Sequence, residues 1–160
     1  MCKKWSDAMF KKFISVVGAI LLVVTITLTI FTNASPMALL NNYQLNYNLT
    51  HPTKDTIFIN NVIPFKWDHG YYFSPYVELK DIKKHINVKH FPDKLYNDDQ
   101  AHIIYVYKGH VEAIVNGLGR SRGYWFYFSL SQVYRFTPKD DLTFTVRKQT
   151  NGIYEYVLKS

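Results

Sequence analysis

From Phe13 to Phe31 the chain reads FISVVGAILLVVTITLTIF with no charged side chain, and Lys3, Lys4, Lys11 and Lys12 stand just ahead of it. An α-helix rises about 1.5 Å per residue, so this run reaches roughly 28 Å, close to the ~30 Å hydrocarbon core of a bilayer. It predicts a transmembrane or signal helix over 13–31, behind a basic tip over 1–12. The lysine asymmetry predicts a single-pass topology, with the tip in the cytoplasm and everything after Phe31 outside. Length argues for a retained signal-anchor, because a secretory signal needs an apolar stretch of only roughly 7–15 residues. Thr32-Asn33-Ala34 still fits a small-x-small cleavage site, and cleavage after Ala34 would release a secreted protein. The single cysteine, Cys2, precedes the apolar run, where the lipid-bearing cysteine of a processed lipoprotein cannot lie.

Beyond Phe31 the chain is long enough for one domain with its own core and too short for two. That part holds no cysteine, hence no disulfide staple and no thiol nucleophile. Exported animal domains of this size usually carry bridges. A cysteine-free domain rich in Asn, Lys and Tyr points instead to a Gram-positive bacterial envelope. Of the formal net charge of +7, four lysines and Asp7 lie ahead of Phe13, which leaves +4 beyond the span. That mild excess suits an anionic wall or lipid surface, and a location outside the cell argues against nucleic acid as a partner.

Residues 34–53 contain no Lys, Arg, Asp or Glu, are rich in Asn, and have Pro36 and Pro52 near their ends. This composition predicts a polar tether over 32–53 and a folded domain over 54–160. Within the domain, 56–59 and 62–67 are short strand-like runs. Ser74 and Pro75 suit the cap and first turn of a helix. Tyr76, Leu79, Ile82 and Ile86 recur on one helical face, which predicts a helix over 75–86. In the second half, 102–107 and 111–116 flank Lys108-Gly109, a turn in which glycine supplies positive φ. Short β-type runs follow at 124–130 and 132–136, and 142–147 alternates apolar with polar residues. Asn151-Gly152, a strong hairpin signal, leads into a last run at 153–159. Together these predict an α+β domain, an antiparallel sheet of about five or six strands with one main helix packed on a face.

The stretch Trp67-Asp68-His69-Gly70-Tyr71-Tyr72-Phe73-Ser74-Pro75-Tyr76 reads W-D-x-x-Y-x-F-x-P-Y. It resembles a box of small exported or membrane-anchored Gram-positive bacterial proteins of unknown function. In that family a helix follows with an isoleucine near the place of Ile82, and then a hairpin like 103–115 with Gly109 at its turn. The resemblance implies the domain and, because the family has no assigned activity, carries over no catalytic residue. The residues themselves point to a structural role. Trp67, Tyr71 and Phe73 alternate as on one strand face, and an aromatic side chain can bury roughly 150–250 Å². Asp68 can accept a backbone N–H in the tight turn Asp68-His69-Gly70.

Gly119-Arg120-Ser121-Arg122-Gly123 matches G-x-S-x-G, but a nucleophile elbow needs a helix after the serine and a histidine later in the chain. Aromatic residues follow instead, and all six histidines lie at or before His110. Gly117, Gly119 and Gly123 likewise precede no helix N-terminus that would hold a phosphate. What survives is a pair of guanidiniums, Arg120 and Arg122, in a Gly-rich turn and suited to a carboxylate or phosphate. His85, His90, Asp93, Asp98, Asp99 and His102 form a loose cluster. His85 and His90 are five apart and do not share a helical face, so neither a metal nor another cofactor follows from them.

The expected function is that of a membrane-anchored or secreted cell-envelope protein, a non-catalytic binding or accessory module. Its partners would be the membrane, through Phe13 to Phe31, and an anionic envelope component or a protein. One alternative is an exported hydrolase or metal-dependent enzyme; another is a toxin-immunity or accessory subunit of a membrane complex. Because nothing in the motif is placed to take a proton from Ser121, Ser121→Ala should leave any activity or phenotype intact. Stoichiometric labelling of Ser121 by an acyl-serine probe would overturn this.

Overall fold

The computed structural model describes residues 2–32, 36–88, 91, 92, 95, 101–116, 122–128 and 132–159. The chain divides into two units, Met1–Pro36 and Met37–Ser160. In the first, helix α1 runs over Cys2–Thr32, with side chains described for residues 9–24 and 26. All of these are exposed, and the apolar Phe13, Ile14, Leu22 and Val23 point to four sides of the helix. Among the described residues, no helix is long and apolar enough to cross a membrane. The helix expected over 13–31 is therefore present, while its crossing of a bilayer is not shown.

The second unit is α+β, and it departs from the expected single sheet. Its strands are β1 Thr56–Phe58, β2 His69–Phe73, β3 His102–Tyr107, β4 His110–Asn116, β5 Tyr124–Tyr127, β6 Val133–Phe136, β7 Thr143–Lys148 and β8 Tyr154–Leu158. They form two four-stranded sheets, a first in the order β1-β7-β8-β5 and a second in the order β4-β3-β2-β6. Neighbours pair antiparallel except β5 and β8, which run parallel. Strand propensity and alternation locate strands and their wet faces. They do not say which strands share a sheet, and here non-local pairing divides the set in two.

The sheets pack face to face around aromatic side chains. Phe126, Phe144 and Tyr156 come from the first sheet, and Tyr72, Tyr105 and Phe136 from the second. Phe126 stacks on Tyr156 at 4.8 Å, and Phe128 meets Phe144 edge-on at 5.3 Å, within the range favoured by ring quadrupoles. The opposite face of the second sheet is also dry. There Tyr71, Phe73, Ile104 and Val106 pack under Ile82 of helix α3, Leu79–His85. At the centre of this sheet Gly70 is sterically required, because a Cβ would lie 2.3 Å from the buried Phe136 ring.

Several expectations need correction. The segment 32–53 is not a tether, for residues Pro36–Thr50 form helix α2. Ala38, Asn41, Leu45 and Leu49 recur at helical spacing and are buried, so the packed unit begins at Met37 rather than at 54. The asparagines that suggested a tether hydrogen-bond to backbone instead. Asn41 Nδ2 donates to the Glu112 carbonyl at 3.0 Å, and Asn42 Oδ1 accepts from the Ile114 N–H at 2.8 Å, both on the outer edge of β4. Asn48 Nδ2 donates to the Val62 carbonyl at 2.7 Å. The Tyr156 hydroxyl donates to the Leu49 carbonyl at 2.7 Å, and burial pushes that phenol up, so it keeps its proton.

The helix expected over 75–86 is shorter. Pro75 and Tyr76 form a turn in which Tyr76 has φ 69°, and α3 starts after Glu78. Ser74 does not cap it; its N–H bonds to the Gln132 carbonyl beside β6. The run 62–67 is not a strand. Trp67, ahead of β2, packs with Tyr105 and Phe136 between the sheets, whereas Tyr71 and Phe73 stack at 6.4 Å on the other face. The three therefore do not share one strand face.

Leu45→Ala or Leu49→Ala should lower the stability of the domain by about 2–5 kcal/mol, the cost of a core cavity. Tyr43→Ala, on the exposed side of the same helix, should change it by less than about 0.5 kcal/mol. Chemical denaturation of the three variants separates a packed helix from a tether, which would show no difference.

Candidate functional site

Alternation along the first sheet sends one set of side chains into the core and the other outward. On β5, Tyr124 and Phe126 are buried, so Trp125 and Tyr127 face away from the core. On β8, Glu155 and Val157 flank the buried Tyr156, and on β7, Thr145 and Arg147 flank the buried Val146. Register aligns these into two rows across the strands. Trp125 lies opposite Glu155 and Glu155 opposite Arg147; Tyr127 lies opposite Val157 and Val157 opposite Thr145.

The Trp125 and Tyr127 rings sit 5.9 Å apart with planes 37° from parallel, and Tyr127 is 46% exposed. The Tyr127 hydroxyl is 3.5 Å from Glu155 Oε1. Partial burial and then the Glu155 carboxylate push this phenol up, so it keeps its proton and donates the hydrogen bond to Glu155. The face thus combines two outward aromatics, a carboxylate and a guanidinium on rigid strands. It can take an apolar surface with a polar rim.

A second cluster lies at the β3–β4 turn. Lys108 (φ 48°) and Gly109 (φ 75°) both occupy the left-handed region, which fits a tight two-residue hairpin turn. Asp68 holds this turn from outside. Its Oδ2 accepts the Lys108 N–H at 2.8 Å, its Oδ1 pairs with His69 Nδ1 at 2.8 Å, and its own N–H donates to the Val106 carbonyl. The backbone donor expected for Asp68 thus comes from a distant turn and not from its own. The Asp68–His69 pair orients an imidazole, and the ring lies near Tyr71 at 6.3 Å.

A cleft of about 380 Å³ opens between the end of α2 and β1, with His51, Lys54, Thr56 and Asn61 in its wall. Its described lining holds one imidazole and one ammonium and no carboxylate, a poor set for acid–base or metal chemistry. Among the described residues, no three His, Cys, Asp or Glu side chains converge as a metal site. His85 is exposed on α3 and His102 is buried on β3. His90, Asp93, Asp98 and Asp99 lie outside the described residues, as do Arg120 and Ser121.

Arg122 is exposed just ahead of β5, next in sequence to the strand that carries Trp125 and Tyr127. Of the aromatic box, Trp67, Tyr71 and Phe73 are buried, Pro75 is half-buried, and Tyr76 is exposed in its turn. Sequence reasoning missed Trp125, Tyr127, Arg147 and Glu155 as a group. The signal was there in part. Four consecutive aromatics on one strand, Tyr124 to Tyr127, must leave two of them facing away from whatever the other two pack against. Compared with family models, curated proteins and solved structures, the chain finds no match.

Burial pushes the Asp68 carboxyl up, but the Lys108 N–H and the His69 imidazole outweigh it and hold the group below its ordinary value of 3.8. A depressed carboxyl adds stability above the unfolded value and loses it as pH falls through the folded one. The stability gap between wild type and Asp68→Asn should therefore be full near neutrality and close as the pH drops below 3.8. Thermal unfolding across an acid series checks this, and a gap that persists unchanged would show that the charge does not hold the turn.

Proposed function

We propose that this chain is a membrane-anchored cell-envelope protein whose α+β domain is a non-catalytic binding module, with α1 as the anchor. The observation that carries the binding role is the outer face of the first sheet, where Trp125 and Tyr127 project from β5 beside Glu155 and Arg147. Trp, Tyr and Arg are the side chains most enriched where binding energy concentrates. A broad strand face suits a macromolecular partner, whereas small molecules are held in concave sites. Arg122 stands ahead of β5 and would add a positive rim, which favours a partner bearing carboxylate or phosphate groups.

The anchor reading rests on different features. The uncharged run from Phe13 to Phe31 follows the basic tip, and from Phe13 to Val24 the helix exposes apolar side chains on all sides. A helix apolar all round needs lipid or a large protein core around it. The alternative of secretion by cleavage after Ala34 concerns a site outside the described residues. The Asp68–His69 pair, one that an exported hydrolase could draw on, is used by the fold to hold a turn.

Two measurements test the two halves. With a C-terminal tag on the full chain, protease added to intact cells should remove the tag and leave the tip ahead of Phe13 protected; a tag cut only after lysis reverses the topology. For binding, a photo-reactive residue at Trp125 should give a discrete adduct in envelopes that Arg147→Ala weakens. Tyr127→Ala, at a side chain that is 46% exposed, should abolish partner recovery while changing stability by less than about 0.5 kcal/mol, as expected for a surface side chain. A sharp loss of stability would make the ring packing and not a contact.

A further inference from the structure

Helix α2 buries one face and leaves the other unusually apolar. Met37, Leu40, Tyr43 and Tyr47 are exposed, with Tyr43 at 71%, and their spacing of three, three and four puts them on one side of the helix. Gln44 and His51 complete that side, and no Lys, Arg, Asp or Glu occurs between residues 33 and 53. The outward face of a helix packed on a water-soluble domain normally carries charge. Here the folded unit is already complete without this face, since Leu45, Leu49 and the amides of Asn41 and Asn42 hold the helix from the opposite side.

We propose that this stripe of α2 beds into the interfacial layer of the bilayer that holds α1, so that the domain rests on lipid through Met37, Leu40, Tyr43 and Tyr47. The inference builds on the anchor reading above. Three residues, 33–35, separate α1 from α2, and a chain advances at most about 3.6 Å per residue. A bilayer around α1 therefore lies within roughly 15 Å of the start of α2, whatever path the link takes. Such a short link gives the stripe a high effective concentration at the surface. The chemistry matches that layer. Tyrosine concentrates at membrane interfaces, its ring among the acyl chains and its hydroxyl among the headgroups, and Met and Leu suit the hydrocarbon boundary. The absence of charge assigns the contact to apolar insertion and not to attraction by anionic headgroups.

The test uses the full chain in zwitterionic phosphatidylcholine vesicles, with Cys2→Ser removing the only cysteine. Single cysteines at Leu40, Tyr43, Thr145 and Leu21 each carry an environment-sensitive fluorophore. Labels at 40 and 43 should be blue-shifted and quenched by nitroxide lipids more than by aqueous iodide, with the same result when anionic lipid or salt is added. The label at 145, on the outer face of the first sheet, should show the reverse. If 40 and 43 are quenched by iodide while 21 is quenched by deep nitroxide lipid, α1 is embedded and the interfacial contact is wrong. If 21 is also quenched by iodide, the anchor reading fails and takes this one with it. Labels at 40 and 43 that are shielded from both quenchers, and only at high protein-to-lipid ratio, would mean a second copy covers the stripe and would overturn the lipid contact.

Discussion

The second sheet has to be kept dry on both faces, and the other parts of the domain are arranged around that requirement. Its strands β3 and β2 carry apolar or aromatic side chains to either side, so each face needs a cover. The first sheet covers one and α3 the other. The fit at the centre is close enough that the Phe136 ring occupies the space beside Gly70. A side chain at that position would have to push a fully buried ring into neighbours packed at interior density. Residues far apart in sequence, from Trp67 to Tyr156, therefore depend on one another's shape.

Covering faces leaves the edges of the sheets, where unpaired backbone groups would invite pairing with another chain. Helix α2 deals with one of them. Asn41 and Asn42 present side-chain amides to the Glu112 carbonyl and the Ile114 N–H, as a further strand would present its backbone. Leu45 and Leu49 beneath them reach the core between the sheets, and Tyr156 returns a hydrogen bond to the end of the helix. The polar composition of this helix is thus a consequence of its position. Charged side chains could not take Asn41's place without desolvation at a buried site, and a purely apolar helix would leave the edge unsatisfied.

The aromatic residues do not all serve the core. Most are packed between or beneath the sheets and set stability. Trp125 and Tyr127 alternate with the buried Tyr124 and Phe126 along the edge strand β5, and by register they stand beside Glu155 and Arg147 on the outer face. A face of this kind keeps its shape without a partner, which limits the entropy lost on binding. The outer stripe of α2 adds a second surface that the packing of the domain leaves uncovered.

Much of the local structure was legible in the chain. The turn at Lys108-Gly109, the hairpin at Asn151-Gly152, the alternation of 142–147 and the helical face of Ile82 and Ile86 each follow from dihedral preferences and periodicity within a few residues. So does the apolar helix at the start, since its character needs no partner to define it. Periodicity was insufficient for α2, because its buried positions include Asn41 and its exposed ones include Leu40 and Tyr47; composition alone could not tell which side would meet the core. The box around Trp67 failed in a similar way, with its aromatics on opposite sides of one sheet. By itself the sequence determined an apolar, lysine-flanked helix followed by an α+β domain and most of its strand positions, because those depend on short-range sterics and hydrophobic pattern. Only the tertiary structure decided that the strands form two sheets, that the Asn-rich segment closes a strand edge, and that Trp125 and Tyr127 share a face with Glu155 and Arg147, because register and burial are set by residues well beyond the local window.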